Sequence, residues 1–319
     1  MRTGILKTKL GTRSATFLWL VTLSAIFVEL VGTLVDRTRV PTDDDWRAAA
    51  AFVRARSAPH DLFVSAPSYT DPLLRWAAGD LLTPEQAGRS DLESFGRIWA
   101  LSVDGHHPAD APRRPPDLEK RFGRVQVSRW TLDDTAIGRG ETPPLSLLPR
   151  IADARVSLGG RPCERIDAIV HGGGLGTGPL PPRRRFVCDP RRPWLWVGET
   201  ITEDLELEPR HCVAQHPAGA EPLRVELPRV RLRERLVFYG GLYYEHERER
   251  VGEAIRVAIL LDDEEVAGFL HRDGDGWAKV ELDTSARAGT SASLIVETST
   301  KNPLRRSYCW AASLRGDAP

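Results

Sequence analysis

From Ala15 to Val35 the chain reads ATFLWLVTLSAIFVELVGTLV, 21 residues carrying one charge, Glu29. A helix of that length spans about 30 Å, the thickness of a bilayer hydrocarbon core. Ahead of it stand Arg2, Lys7, Lys9 and Arg13 without an acid; behind it Asp36, Asp43, Asp44 and Asp45 outnumber Arg37 and Arg39. The positive-inside rule then places residues 1–14 in the cytoplasm and everything after Val35 outside. A cleavable signal has a shorter apolar region, usually about 7–15 residues, and ends at a small-x-small site. This run is longer and no clean site follows it, so an uncleaved anchor over 15–35 is expected, with a cleaved signal as the alternative. A lone acid such as Glu29 reads as tolerated near the interface, since a proton path needs partners on other helices. No second run of spanning length follows. The expectation is a single-pass protein of a bacterial inner membrane with its bulk in the periplasm.

The 319 residues comprise 44 basic and 44 acidic side chains, with 41% apolar residues. Zero net charge argues against a nucleic-acid partner, whose binding needs many uncompensated cations. Five of the cations are Lys and the rest Arg, amid abundant Ala, Gly and Pro, which reads as coding bias and lowers the weight of any Arg cluster. Arg183–Arg185 and Arg191–Arg192 are therefore read as solvated surface.

Residues 41–134 alternate helical and extended patterns. Asp43, Asp44 and Asp45 offer an N-cap ahead of Trp46, Ala49, Ala50 and Val53 at helical spacing. Asp61–Ala66 reads as a strand, Asp71-Pro72 as the start of a helix carrying Leu73, Leu74, Trp76 and Ala77, and Thr83-Pro84-Glu85 as a short one. Ile98–Val103 and Arg124–Trp130 read as further strands of a small α/β domain. Residues 135–150 read as a linker. From 151 to 319 about nine short extended runs, separated by Gly, Pro, Asp and Asn and with no helix, indicate an all-β sandwich of jelly-roll type.

The four cysteines lie in the β half, outside by topology. An even number in an oxidising compartment favours disulfides, and of three possible connectivities Cys163–Cys188 with Cys212–Cys309 is preferred. No C-x-x-C occurs, and neither a metal nor a cofactor is expected. His211 and His216, five apart along a strand, fall on opposite faces, and Asp273 and Asp275 suit a turn better than a calcium loop. His171-Gly172-Gly173-Gly174 resembles an esterase oxyanion loop, yet no G-x-S-x-G elbow accompanies it, and Gly172–Gly178 lacks the G-K-[ST] of a phosphate loop.

The aromatic residues carry the functional signal. Trp194 and Trp196 alternate and are expected to share one strand face, with Tyr243 and Tyr244 in the same pool; together they are the candidate glycan platform. The other reading makes them core.

The stretch from Asp45-Trp46-Arg47 through Asp80 resembles the soluble periplasmic tail of polytopic lipid-linked-sugar glycosyltransferases of the protein mannosyltransferase and aminoarabinose transferase type. The likeness covers roughly residues 41–134 and implies a helix, a Pro-x-Asp turn, an apolar strand and a second helix. Those enzymes hold their catalytic acids on a loop between several transmembrane helices. This sequence shows one such helix, so the resemblance implies an accessory domain and no transferred activity. The β half, with Gly276-Trp277 opening a strand that ends at Asp283-Thr284, resembles the galactose-binding-like jelly rolls used as carbohydrate-binding modules. A non-catalytic envelope protein that binds glycans or assists envelope glycosylation or assembly is the leading expectation. The alternatives are a hydrolase or glycosyl transferase with an inter-domain site, using acids such as Asp71 or Asp104 with His106, and a purely structural protein.

Overall fold

The structure is a computed structural model that describes residues 12–169 and 179–317. The apolar run forms α1 (Thr12–Arg39), whose segment Phe17–Leu34 is long and apolar enough to cross a membrane and is not buried against the other described residues. Three residues later α2 (Asp43–Arg54) begins. Its cap is Thr42 rather than one of the aspartates: the Thr42 hydroxyl accepts the Asp45 N–H while the Asp45 carboxylate accepts that of Thr42. This reciprocal box satisfies two otherwise orphaned donors and holds the Asp45 carboxyl below its ordinary pKa.

A four-stranded sheet follows, built from β1 (Asp61–Ala66), β2 (Arg97–Val103), β3 (Leu118–Phe122) and β4 (Val125–Thr131) in the order β1-β2-β4-β3. β1 and β2 are parallel, and their crossover carries α3 (Asp71–Ala78) and the single turn α4 (Pro84–Ala87). The central strands are buried on both faces, as near-continuous apolar runs should be. One face packs Phe63, Trp99, Leu101 and Val127 against Trp46 and Val53 of α2 and Leu74 of α3; the other holds Leu62, Ile98, Ala100 and Trp130. The buried Asp61 carboxylate ties the unit together, accepting from Arg97, the Trp99 indole and the Ala58 N–H.

The second half is an antiparallel sandwich. In chain order its strands are β5 (Leu145–Ser146), β6 (Arg155–Leu158), β7 (Arg161–Pro162), β8 (Glu164–Asp167), β9 (Arg184–Val187), β10 (Trp196–Glu203), β11 (Pro209–Gln215), β12 (Leu223–Arg231) and β13 (Arg235–Leu242). A short helix α5 (Tyr244–Glu249) comes next, then β14 (Ile255–Leu261), β15 (Glu264–His271), β16 (Ala278–Asp283), β17 (Ser291–Thr300) and β18 (Tyr308–Arg315). One sheet runs β16-β13-β18-β11-β10-β9-β8 with β5 also on β18; the other runs β15-β14-β17-β12-β6-β7. Alternate residues such as Val213, Phe238, Trp310, Val225, Val257 and Val296 fill the space between them. Gln215, fully buried, stitches the sheets: its amide donates to the Leu223 and Val296 carbonyls and its oxygen accepts the Trp310 indole N–H at 2.6 Å. The helix α5 corrects the expectation of a helix-free β half.

Both expected disulfides form, Cys163–Cys188 and Cys212–Cys309, the second joining β11 to β18. With the exposed apolar helix at the N-terminus they mark an extracytoplasmic chain.

The two units meet along residues 88–95, which lie on the outer face of the larger sheet. His211 N–H donates to the Gly88 carbonyl, Ser90 Oγ to the His211 carbonyl, and the Trp277 indole to the Ser90 carbonyl. Asp91 accepts from Arg315, Ser313 and Tyr239, and Glu93 pairs with Arg315 and Lys279. Burial works to raise the Glu93 pKa, but these two cations hold it below the ordinary value. β18 is consequently buried on both faces along its whole length.

Candidate functional site

Trp194 and Trp196 do not share a strand face. Asp189 accepts the Arg191 N–H to start a turn, and Pro190 and Pro193 deny it ladder donors, so β10 begins only at Trp196. Trp194 is left in the turn with 42% of its surface exposed. Trp196 is 6% exposed and packs with Ala214 and Trp277 on the Cys212–Cys309 disulfide. The paired platform is therefore replaced by one open indole and one structural one.

The turn that carries Trp194 lies where β10 starts, β11 and β13 end and β18 starts, as the pairings Val197↔Gln215, Ala214↔Cys309 and Leu242↔Tyr308 require. Here Trp194 rests on His216, ring centroids 4.6 Å apart. His216 Nε2 is 2.8 Å from the Pro303 carbonyl and Nδ1 3.2 Å from Ser307 Oγ. A carbonyl only accepts, so Nε2 carries the proton and Nδ1 accepts from the serine. The Ser307 N–H in turn donates to His246 Nδ1 on α5, and Tyr243 stands edge-on to both His246, at 5.4 Å, and Tyr244, at 4.9 Å. Trp194, His216, His246, Tyr243 and Tyr244 thus form one aromatic row with Ser307 as its polar joint. Burial pushes His216 and His246 down to about 4, so both are neutral near pH 7. Burial likewise pushes the Tyr243 phenol up.

The row stands on a rigid polar base. Glu247, wholly buried, accepts the N–H groups of Gly274 and Gly276, and Arg306, also wholly buried, pairs with Asp273 at 2.7 Å. Asp275 accepts the Arg272 N–H to close the same turn. A Cβ on Gly252 would fall 1.9 Å from Arg306 Nε, so only glycine lets the guanidinium lie flat against the chain. His246 and Ser307 escaped the sequence reading because no local spacing links them, and His216 was weighed there only with His211 as a metal ligand, not as a partner of Trp194.

The remaining candidates are scattered. His211 turns to Glu199, 2.7 Å away, beside an open cleft of about 610 Å³ that Asp167, Arg183, Arg184, Thr200 and Pro84 also line. Asp71 pairs with Arg75 on the surface of α3, while Asp104 is an exposed turn residue with φ 52°. His106 Nδ1 meets only the Val103 carbonyl. The carboxylates that do lie between the units, Asp91, Glu93, Asp110 and Glu208, are all paired with Arg. His171–Gly174 and the glycine run to Gly178 lie outside the described residues.

No family profile matches the sequence, and no curated protein matches it. Among solved structures, similarity is found to a CBM51 module with INT domains from Clostridium perfringens ZmpB, in complex with GlcNAc. That match has 10% identity and a TM-score of 0.29, covering 37% of this chain and 25% of that one. The CBM51 of C. perfringens GH95, in complex with methyl-galactose, is 11% identical with a TM-score of 0.27, over 36% of this chain and 80% of that one. The mannan-recognising module TmCBM27 is 12% identical with a TM-score of 0.26, over 38% and 83%.

Proposed function

We propose that the protein is held in the bacterial inner membrane by α1 as an uncleaved anchor, with its two units in the periplasm, and that the sandwich binds glycans without transforming them. The observation that carries the binding reading is Trp194, an open indole held by neutral His216 at a loop-built end of the sandwich. An aromatic face in that setting takes the C–H face of a sugar ring, while Tyr244 and Glu245, at the other end of the same chain of contacts, supply hydroxyl-binding groups. Neutral imidazoles spare the site the cost of desolvating cations when an uncharged ligand covers it.

The test is binding of envelope polysaccharides to the purified full chain, compared with Trp194→Ala. The variant should lose at least tenfold in affinity, because the stacking surface is gone. Its thermal midpoint should move by no more than a few degrees, because the indole is half open to solvent. Equal binding by wild type and variant removes Trp194 from the site, and no binding by either ends the glycan reading.

A further inference from the structure

The helix α3 places its apolar residues on the wrong side for a soluble domain. Leu74 and Ala78 face the core, yet Tyr69, in the turn leading into the helix, is 74% exposed, Leu73 41% and Trp76 49%. Tyr69, Leu73 and Trp76 stand at i, i+4 and i+7, so they line one outward stripe. The sequence reading set Leu73 and Trp76 on this helix together with Leu74 and Ala77. Such a stripe of large side chains on a monomer's surface marks an interaction site rather than a packing accident.

Its position in the chain identifies what covers it. The Arg47 guanidinium lies 4.7 Å over the Trp76 ring, and Arg47 is in the second turn of α2, which starts four residues after the end of α1. Four extended residues reach at most about 14 Å, and four helical residues add about 6 Å. With about 7 Å more for the helical residues between Leu34 and Arg39, the stripe is tethered within roughly 30 Å of the point where α1 leaves the bilayer, near enough for the α/β unit to lie against the headgroup layer. Val40, in the connection itself, is exposed as well. Around the stripe two guanidiniums meet three carboxylates, Arg47 with Asp43 and Asp44 and Arg75 with Asp71, which leaves a net charge of −1. An aromatic and aliphatic stripe whose rim carries so little net charge fits the zwitterionic interface of a bilayer, where tryptophan and tyrosine settle with an apolar body and a polar tip.

We infer that Tyr69, Leu73 and Trp76 form an interfacial seat that rests in the headgroup layer of the membrane α1 crosses, fixing the α/β unit against the bilayer. The inference depends on the anchor reading of α1. The test uses the full chain in phosphatidylcholine vesicles, with and without lipids brominated near the carbonyl end of their acyl chains. The emission due to Trp76 is the difference between wild type and Trp76→Phe, and that due to Trp19, inside α1, the difference with Trp19→Phe. Brominated lipid should quench both components by at least half, and raising salt should leave the Trp76 quenching unchanged. In Tyr69→Ser/Leu73→Ser, which keeps Trp76, the quenching should fall at least twofold. If Trp19 is quenched and Trp76 is not, the anchor stands and the seat is refuted. If neither is quenched, the anchor reading fails and the seat with it. Quenching of Trp76 that appears only when anionic lipid is added would replace the apolar seat by a charge-driven contact.

Discussion

At the scale of single residues, the junction between the two units hangs on Asp91. Its two oxygens accept twice from Arg315 at 2.9 Å, and also from Ser313 and Tyr239. The Arg315 side chain is 2% exposed, so its charge has no recourse to water. Asp91→Ala leaves that cation with Glu93 and the Tyr239 hydroxyl, and removing one partner of a buried pair costs about 3–5 kcal/mol. A urea titration of the full chain in detergent should show a loss of that size, and a loss under 1 kcal/mol would show that Glu93 suffices. Gly88 is a second lever: a Cβ there would fall 2.4 Å from the His211 amide nitrogen, so Gly88→Ala must push the units apart. Neither residue announced itself in the sequence. GRSDLES reads as a polar surface stretch, because a segment that docks by hydrogen bonds has the composition of one that faces water.

At the scale of elements, what was legible follows from burial. β1 matches the sequence reading residue for residue, and like β14 (IRVAILL) it loses nearly every side chain to a core. β3 (LEKRF) and β15 (EEVAGFLH) were missed because they are sheet-edge strands with largely exposed side chains, and β11 (PRHCVAQ) because its buried positions include His211 and Gln215. α5 (YEHERE) is too short and too polar to show a helical period; tertiary packing of Glu247 holds it. The candidate site suffered for the same reason, since its members come from four elements. Burial pushes three imidazoles down to about 4: His216 just after β11, His246 on α5 and His271 at the end of β15. In the unfolded chain each titrates near 6.5. Between those values the unfolded state binds more protons, so this contribution is complete above about pH 6.5 and is lost as pH falls toward 4. Thermal midpoints should therefore fall steadily from pH 7 to pH 4.5, and His216→Asn should flatten part of that slope. A midpoint independent of pH across that range would mean the three rings are solvated.

At the scale of the whole molecule, the question is whether two units with separate cores melt as one. Three physical ties bind them or brace the sheet on which they meet: the Asp91–Arg315 cluster, the ladder of hydrogen bonds from residues 88–90 to β11, and the disulfide Cys212–Cys309 directly beneath Trp277. That disulfide closes a loop of 97 residues against 25 for Cys163–Cys188, and loop-closure entropy gives them about 4.7 and about 3.5 kcal/mol. Because β11 and β18 lie side by side at the centre of the sheet that receives the α/β unit, losing the longer bridge weakens the sandwich where the units join. The full chain should accordingly unfold in a single calorimetric transition, with calorimetric and van't Hoff enthalpies equal. Cys212→Ala/Cys309→Ala combined with Asp91→Ala should split it, the sandwich melting first and the α/β unit, whose Asp61–Arg97–Trp99 core is untouched, surviving to higher temperature. Cys163→Ala/Cys188→Ala, whose cysteines flank β8 and β9 rather than the strands that residues 88–95 contact, should lower the midpoint without splitting the transition. Two transitions in the wild type would show instead that each unit folds on its own and that the junction only orients them.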